Sequence, residues 1–374
     1  KMSRLDRLKP FIVMDLFKEA QVMGDVVHME IGEPDLEPPP SVMEALERAI
    51  KEKRFYYTPS LGIWELRERI AQHYYQYYGV NVSPSRVVIT TGTSGAFLVV
   101  YAILMDAGQK VVLSDPSYPC YKNFAHVLNI EPIFIRVDKS TGYQITVDHL
   151  REVGDFTAVH ISSPANPTGT LYSDENLKSL IEYCEERGKY FISDEIYHGL
   201  VYDRKERTAL EFSERAIVIN GFSKAFCMPG FRLGWVILPD EGMVRKAELL
   251  LQNLFISAPT LSQYSALGAF DYEYLERVRE IYRKRRNLLY QELKDVFDID
   301  AYPEGAFYLW ARVERYGLDG YSLSQKLLKE AKVAVTPGVD FGDNNTDKYI
   351  RISFAKDGGT LQEGAKRIRD YFMR

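Results

Sequence analysis

The sequence predicts an α/β fold, with a large domain on a mainly parallel sheet and a smaller α+β domain. Three observations carry that expectation. Short, continuous apolar runs recur between residues 86 and 220, helical patterns separate them, and the texture changes near Asp271. Taken in order, Arg86-Val-Val-Ile-Thr90, Lys110-Val-Val-Leu-Ser114, Ala158-Val-His-Ile-Ser162, Tyr190-Phe-Ile-Ser193 and Ala216-Ile-Val-Ile-Asn220 read as strands. Most do not alternate with polar residues, as expected for strands covered on both faces. Between two of them, Ser173 begins a stretch with Leu177, Leu180, Ile181 and Cys184 at helical spacing, ending at Gly188. A Ser N-cap and a terminal glycine are the boundaries a helix needs.

After Asp271, Tyr272 to Val296 reads as one long helix with Leu275, Val278, Tyr282, Leu289 and Leu293 on a stripe. Its Arg277, Arg279, Arg283, Lys284, Arg285 and Arg286 read as a solvated face, because no aromatic interleaving accompanies them. Shorter strands, Ala306 to Ala311 and Tyr349 to Phe354, and helices near 322–331 and 360–373 complete the smaller domain.

Composition narrows the function classes. At 374 residues, 46% hydrophobic and 26% charged, the chain has an ordinary globular mix and room for two or three domains. A net charge of -5 gives no basic excess for binding nucleic acid. Cys120, Cys184 and Cys227 form no CxxC pair, so neither a disulfide framework nor a metal site is expected, and a reducing compartment is. The longest apolar run, Ala96 to Met105, is far short of the ~20 residues of a membrane span. The N-terminal KMSRLDRLKPFIVMDLF lacks a signal-peptide pattern, and Lys1 ahead of Met2 reads as an added residue. A cytoplasmic protein is the expectation.

Candidate chemistry sits at strand ends, where open α/β sheets bind ligands. Asn220-Gly-Phe-Ser-Lys224 places a lysine just past a buried strand, with Arg232 eight residues on. Alone, Lys224 reads equally well as a surface loop residue. Ser193-Asp194-Glu-Ile-Tyr197 places a carboxylate and a phenol at another strand end, although Asp194 alone is also a plausible helix cap. Ser162-Ser-Pro-Ala-Asn166-Pro-Thr-Gly169 is a turn-rich loop. Thr90-Thr-Gly-Thr93-Ser94-Gly95 joins strand to helix, so its amides can face an anion. It has neither the lysine of a P-loop nor the GxGxxG of a dinucleotide site.

In order and spacing these motifs resemble the fold-type I pyridoxal-phosphate (PLP) enzymes, specifically the class I, aspartate-aminotransferase-like family. The likeness runs from Ile31-Gly32-Glu33-Pro34-Asp35 to Arg351-Ile-Ser-Phe354. It implies a seven-stranded sheet in a large PLP-binding domain over 46–280. It implies a small domain from 1–45 and 281–374, and a homodimer with shared active sites. It also implies an enzyme moving an amino group from an L-amino acid to a 2-oxo acid, with a PLP-dependent C–S β-lyase as the alternative on the same fold.

The resemblance assigns roles residue by residue. Lys224 matches the Schiff-base lysine and Asp194 the partner of the pyridine nitrogen. Tyr197 and Asn166 match donors to the ring's 3′-oxygen, and Tyr118 the aromatic stacked on the ring. Thr93, Ser94, Ser223 and Arg232 match the phosphate site, with Tyr57 reaching it from the neighbouring subunit. The serine often found three residues before the lysine is Gly221 here. Arg351 and Gly32 match the holders of the substrate α-carboxylate, and Phe307 is expected to line the substrate cleft. His160 and His198 are expected to be packed, without a role. An N-terminal arm with Phe11, Ile12, Val13 and Met14 is expected to need apolar cover from a partner.

Aspartate-specific relatives add a second cation, either from the region matching Asn253 to Tyr264 or at the position of Ser94. That region contains no Arg or Lys, so strict dicarboxylate specificity is not expected. Glutamate is expected as one donor, because 2-oxoglutarate is the family's usual shared acceptor.

Overall fold

The computed structural model describes residues 3–373, so Lys1 and Met2 lie outside the described residues. A seven-stranded sheet is formed by β1 (Val87–Thr90), β2 (Lys110–Asp115), β3 (Glu131–Arg136), β4 (Ala158–Ser162), β5 (Tyr190–Asp194), β6 (Ile217–Gly221) and β7 (Gly234–Ile237). Their spatial order is β1-β7-β6-β5-β4-β2-β3. Only β7 runs antiparallel to its neighbours, so β1 through β6 all point one way.

The five expected strands form within a residue or so of their expected ends, and their apolar runs have the anticipated cause. Val88, Val111, Leu113, Ile217 and Ile219 enter one buried cluster. Val87, Ile89, Val112, Val159 and Val218 enter the other, on the opposite face of the same sheet. Two strands were not anticipated. The edge strand β3 is only half buried and contains Pro132, while β7 has just four residues.

The helix Asp174–Glu186 starts as expected, with Ser173 Oγ accepting from the Asn176 amide, and Gly188 beyond its end has φ +65°. The long helix spans Tyr272–Leu293. Its basic face requires a correction, because Arg285 and Arg286 are buried rather than solvated. Arg285 pairs with Asp35 at 2.7 Å. Arg286, 1% exposed, grips Asp203 with two bonds of 2.8 Å and also donates to the Pro303 carbonyl. These arginines are structural fasteners, with each buried charge fully partnered.

The C-terminal part carries a three-stranded antiparallel sheet of β8 (Tyr308–Arg312), β9 (Thr336–Pro337) and β10 (Tyr349–Ser353), in the order β9-β10-β8. Val27–His28 pairs in parallel with Val333–Ala334, which ties the N-terminal segment to this part. The expected domain limits at 45/46 and 280/281 fall inside the helices Pro40–Lys51 and Tyr272–Leu293. No helix among the described residues is long and apolar enough to cross a membrane.

Candidate active site

The C-terminal ends of β1, β2, β4, β5 and β6 open on one cavity of about 280 Å³, closed from above by the smaller sheet. Lys224 reaches it because Phe222, two residues earlier, is locked against Trp235 and Phe226 at 4.9 and 5.1 Å between ring centroids. The lysine Nζ donates to the Gly32 carbonyl at 2.6 Å. Burial, with the charge of Arg351 next in weight, lowers its pKa to about 8. Roughly a tenth of the amine is therefore neutral and nucleophilic at pH 7, far more than for an ordinary lysine.

Asp194 ends β5 with 2% of its surface exposed. Its carboxylate accepts from the Tyr121 hydroxyl and from the Ile196 amide at 3.1 Å. Burial raises its pKa to about 6 against those hydrogen bonds, and it makes no ion pair among the described residues. Tyr197, just past it, shares a 2.7 Å hydrogen bond with the Tyr308 hydroxyl.

Arg351 presents the complementary case. Nη1 donates to Asn166 Oδ1 at 2.8 Å and Nη2 to the Glu30 carbonyl at 2.9 Å. Tyr308's ring lies 4.1 Å from its guanidinium carbon. Its Nε is buried with no partner, and it makes no ion pair among the described residues, although the Asp340 carboxyl in the same cavity feels its charge. A buried guanidinium held by neutral acceptors, with a donor to spare, suits an incoming carboxylate.

The helix Gly92–Leu104 offers its first turn to the same cavity with no side-chain cap, through Thr93 and Ser94. Gly92 has φ +70°, and a Cβ there would stand 2.5 Å from Arg232 Nη2. Only glycine therefore lets the arginine lie against the helix start. Gly221 is similarly confined, since a Cβ would come 3.1 Å from backbone atoms of Leu233 and Gly234.

Gly32, Thr93, Ser94, Tyr118, Asn166, Asp194, Tyr197, Ser223, Lys224, Arg232 and Arg351 all line this cavity. Two expected residues do not. Phe307 is wholly buried behind Tyr197 and Tyr282, and Tyr308 takes the cavity wall instead, because successive residues on a strand face opposite ways. Tyr57 is 79% exposed on a loop outside the cavity.

Sequence reasoning missed Tyr121, Tyr308 and Asp340, along with the apolar wall of Phe11, Val13 and Phe341. Spacing could have found Tyr121, one helical turn past Tyr118. In the expected arm, Phe11 and Val13 are half-buried and line this cavity, while Met14 is exposed. His160 and His198 are buried, bonded through Nδ1 to Tyr101 at 2.7 Å and Tyr78 at 2.6 Å. Neither lines this cavity.

The family model described as aminotransferase class I and II matches residues 24–368. A (5-formylfuran-3-yl)methyl phosphate transaminase of Methanocaldococcus jannaschii is 39% identical, over 100% of this chain and 99% of its own length. A valine–pyruvate aminotransferase of Mycobacterium tuberculosis is 37% identical, over 96% and 95%. Among solved structures, an aminotransferase from Mycobacterium tuberculosis superimposes with a TM-score of 0.95 at 36% identity, covering 100% of this chain and 99% of that one. The aspartate aminotransferase of Thermus thermophilus with maleate gives 0.92 at 28% identity, covering 99% of each. With a full-length match in sequence and in fold, the chain belongs to the class I and II aminotransferases.

Proposed function

We propose that this aminotransferase works with PLP held in the cavity around Lys224, moving an amino group from an L-amino acid to a 2-oxo acid. The observation that carries the reading is one cavity holding a lysine poised near pH 8, a buried carboxylate and a buried guanidinium, neither of the last two in an ion pair among the described residues. A group with an aldehyde, a basic ring nitrogen and a phosphate matches the first two and the bare helix start beside Arg232; the substrate's carboxylate matches the third. When bound, PLP supplies a carbonyl for the amine and a ring that takes up the electron pair left at the substrate α-carbon.

The chain's own residues do the rest. Lys224 Nζ anchors the cofactor and, once displaced by the substrate amine, moves the α-proton. Asp194 keeps a proton on the ring nitrogen by its negative charge. Tyr197 donates to the ring oxygen, as does the Asn166 amide, whose Oδ1 is already taken by Arg351. Tyr118 covers the ring. The amides of Thr93 and Ser94, the Ser223 hydroxyl and Arg232 receive the phosphate. Arg351 and the Gly32 backbone receive the α-carboxylate.

The working unit in this reading is a homodimer in which Tyr57 serves the neighbouring subunit. Support comes from the exposed Phe55, Tyr56 and Tyr57 beside the exposed Leu254, Phe255 and Ile256, on loops joined by Ser60 and Thr260 hydrogen bonds. Residues 46–280 form the cofactor domain, and 1–45 with 281–374 the domain that closes on it. Cys120, Cys184 and Cys227 are free thiols, which fits the cytoplasm.

The test mixes the PLP-loaded protein with one amino acid and no oxo acid. One equivalent of oxo acid per subunit, then a halt relieved by adding a 2-oxo acid, is expected. Continuous release of pyruvate and ammonia would instead establish the β-lyase.

A further inference from the structure

Resting on that reading, the side-chain end of the same cavity identifies the donor class. Lys224, Arg232 and Arg351 are the cations lining the cavity among the described residues, and the cofactor and the α-carboxylate occupy all three. Among the described residues of this chain, no further cation lines the cavity to meet a second carboxylate. The remaining wall includes Phe11, Val13 and Phe341, with the Phe341 ring 4.9 Å from the guanidinium of Arg351. Whatever Arg351 holds by its carboxylate therefore places its side chain among apolar groups.

Asp340 connects these features. Its Oδ1 accepts from the Ile12 amide at 2.7 Å and its Oδ2 from the Val13 amide at 2.9 Å. It thereby fastens the start of the helix Ile12–Val22 and holds Phe11 and Val13 at the cavity. Asp340 also lines the cavity itself, its carboxyl raised by burial against those two amides and the charge of Arg351, so a substrate's second carboxylate would meet an acidic group there and no cation.

We propose that the donor is an L-amino acid with an apolar side chain, and that Asp340 sets this preference by docking Phe11 and Val13 and by opposing a second carboxylate. Glutamate, expected as one donor from the family's usual acceptor, would on this proposal react more slowly than an apolar donor.

The experiment compares half-reactions of the PLP-loaded protein with L-leucine, L-phenylalanine, L-alanine, L-aspartate and L-glutamate, following oxo acid release. Calorimetry in parallel measures binding of 4-methylpentanoate and succinate. Leucine or phenylalanine should exceed aspartate and glutamate by about a hundredfold or more in kcat/KM, and 4-methylpentanoate should bind more tightly than succinate. Phe11→Ala should lower the rate with leucine at least about tenfold more than with alanine, whose methyl group is too short to use that wall. Aspartate or glutamate matching leucine, or equal losses for leucine and alanine in Phe11→Ala, would overturn the proposal. If no amino acid reacts, it is the amino-transfer reading that fails. The binding arm still decides the pocket, and tighter succinate would refute it.

Discussion

Removing one oxygen atom, in Tyr121→Phe, should uncouple the cofactor's hold from its neutral-pH range. Tyr121 donates to the Asp194 carboxylate, and among the described residues the other hydrogen bond to that group comes from the Ile196 amide. A hydrogen bond to a charged group contributes about 1.5–3 kcal/mol. At about 1.4 kcal/mol per pH unit, losing it raises Asp194 by about one to two units. Its starting point is already about 6, so in the cofactor-free variant about half or more of the carboxyl is protonated at pH 7. A neutral acid gives no charge to a protonated ring nitrogen. The phenylalanine keeps the ring's packing against Phe97 and His160, at centroid distances of 5.1 and 4.1 Å, so the fold should persist. Equilibrium dialysis of PLP at pH 6, 7 and 8 is the assay. Retention should fall by about twofold to tenfold at pH 7, and the deficit should shrink at pH 8 as Asp194 ionises. Unchanged retention, or a loss equal at all three pH values, would refute the coupling.

Two further outcomes follow from the same geometry. In the cofactor-free protein the folded state keeps a proton on Asp194 that the unfolded chain releases from pH about 4, so stability drops as pH rises from about 4 to 6. Denaturant titrations should show Asp194→Asn gaining on the parent across that window by up to about 3 kcal/mol, and a pH-independent difference would contradict the burial argument. For the shared site, a Tyr57→Phe chain mixed with a Lys224→Ala chain should partly recover activity, because one site of the hybrid then carries neither lesion. Verified subunit exchange without recovery would confine Tyr57 to its own chain.

What could be read in advance depended on how local each cause is. Strands β1, β2, β4, β5 and β6 were legible because burial on both faces demands uninterrupted apolar residues. The edge strand β3 escaped because it is half exposed and carries Pro132; β7, as short and as buried as β1, was passed over. Lys224, Asp194, Asn166 and Arg351 were found through their motifs, each seated next to a strand end or within a strand. Phe307 was mistaken for Tyr308 because strand parity at that point is set by the register of β8 with β10, which no local pattern reports. Arg285 and Arg286 looked solvated because their partners, Asp35 and Asp203, lie 250 and 83 residues away. The Asp340 bond to Ile12 spans 328 residues, and nothing in either segment alone announces it.

The central claim is that Lys224 is the covalent seat of the cofactor. Reducing the PLP-loaded protein with borohydride and mapping its peptides tests this most directly. A pyridoxyl group is expected on the peptide carrying Lys224, with none incorporated in Lys224→Ala. A stable label on any other lysine, or undiminished labelling of Lys224→Ala, would contradict it.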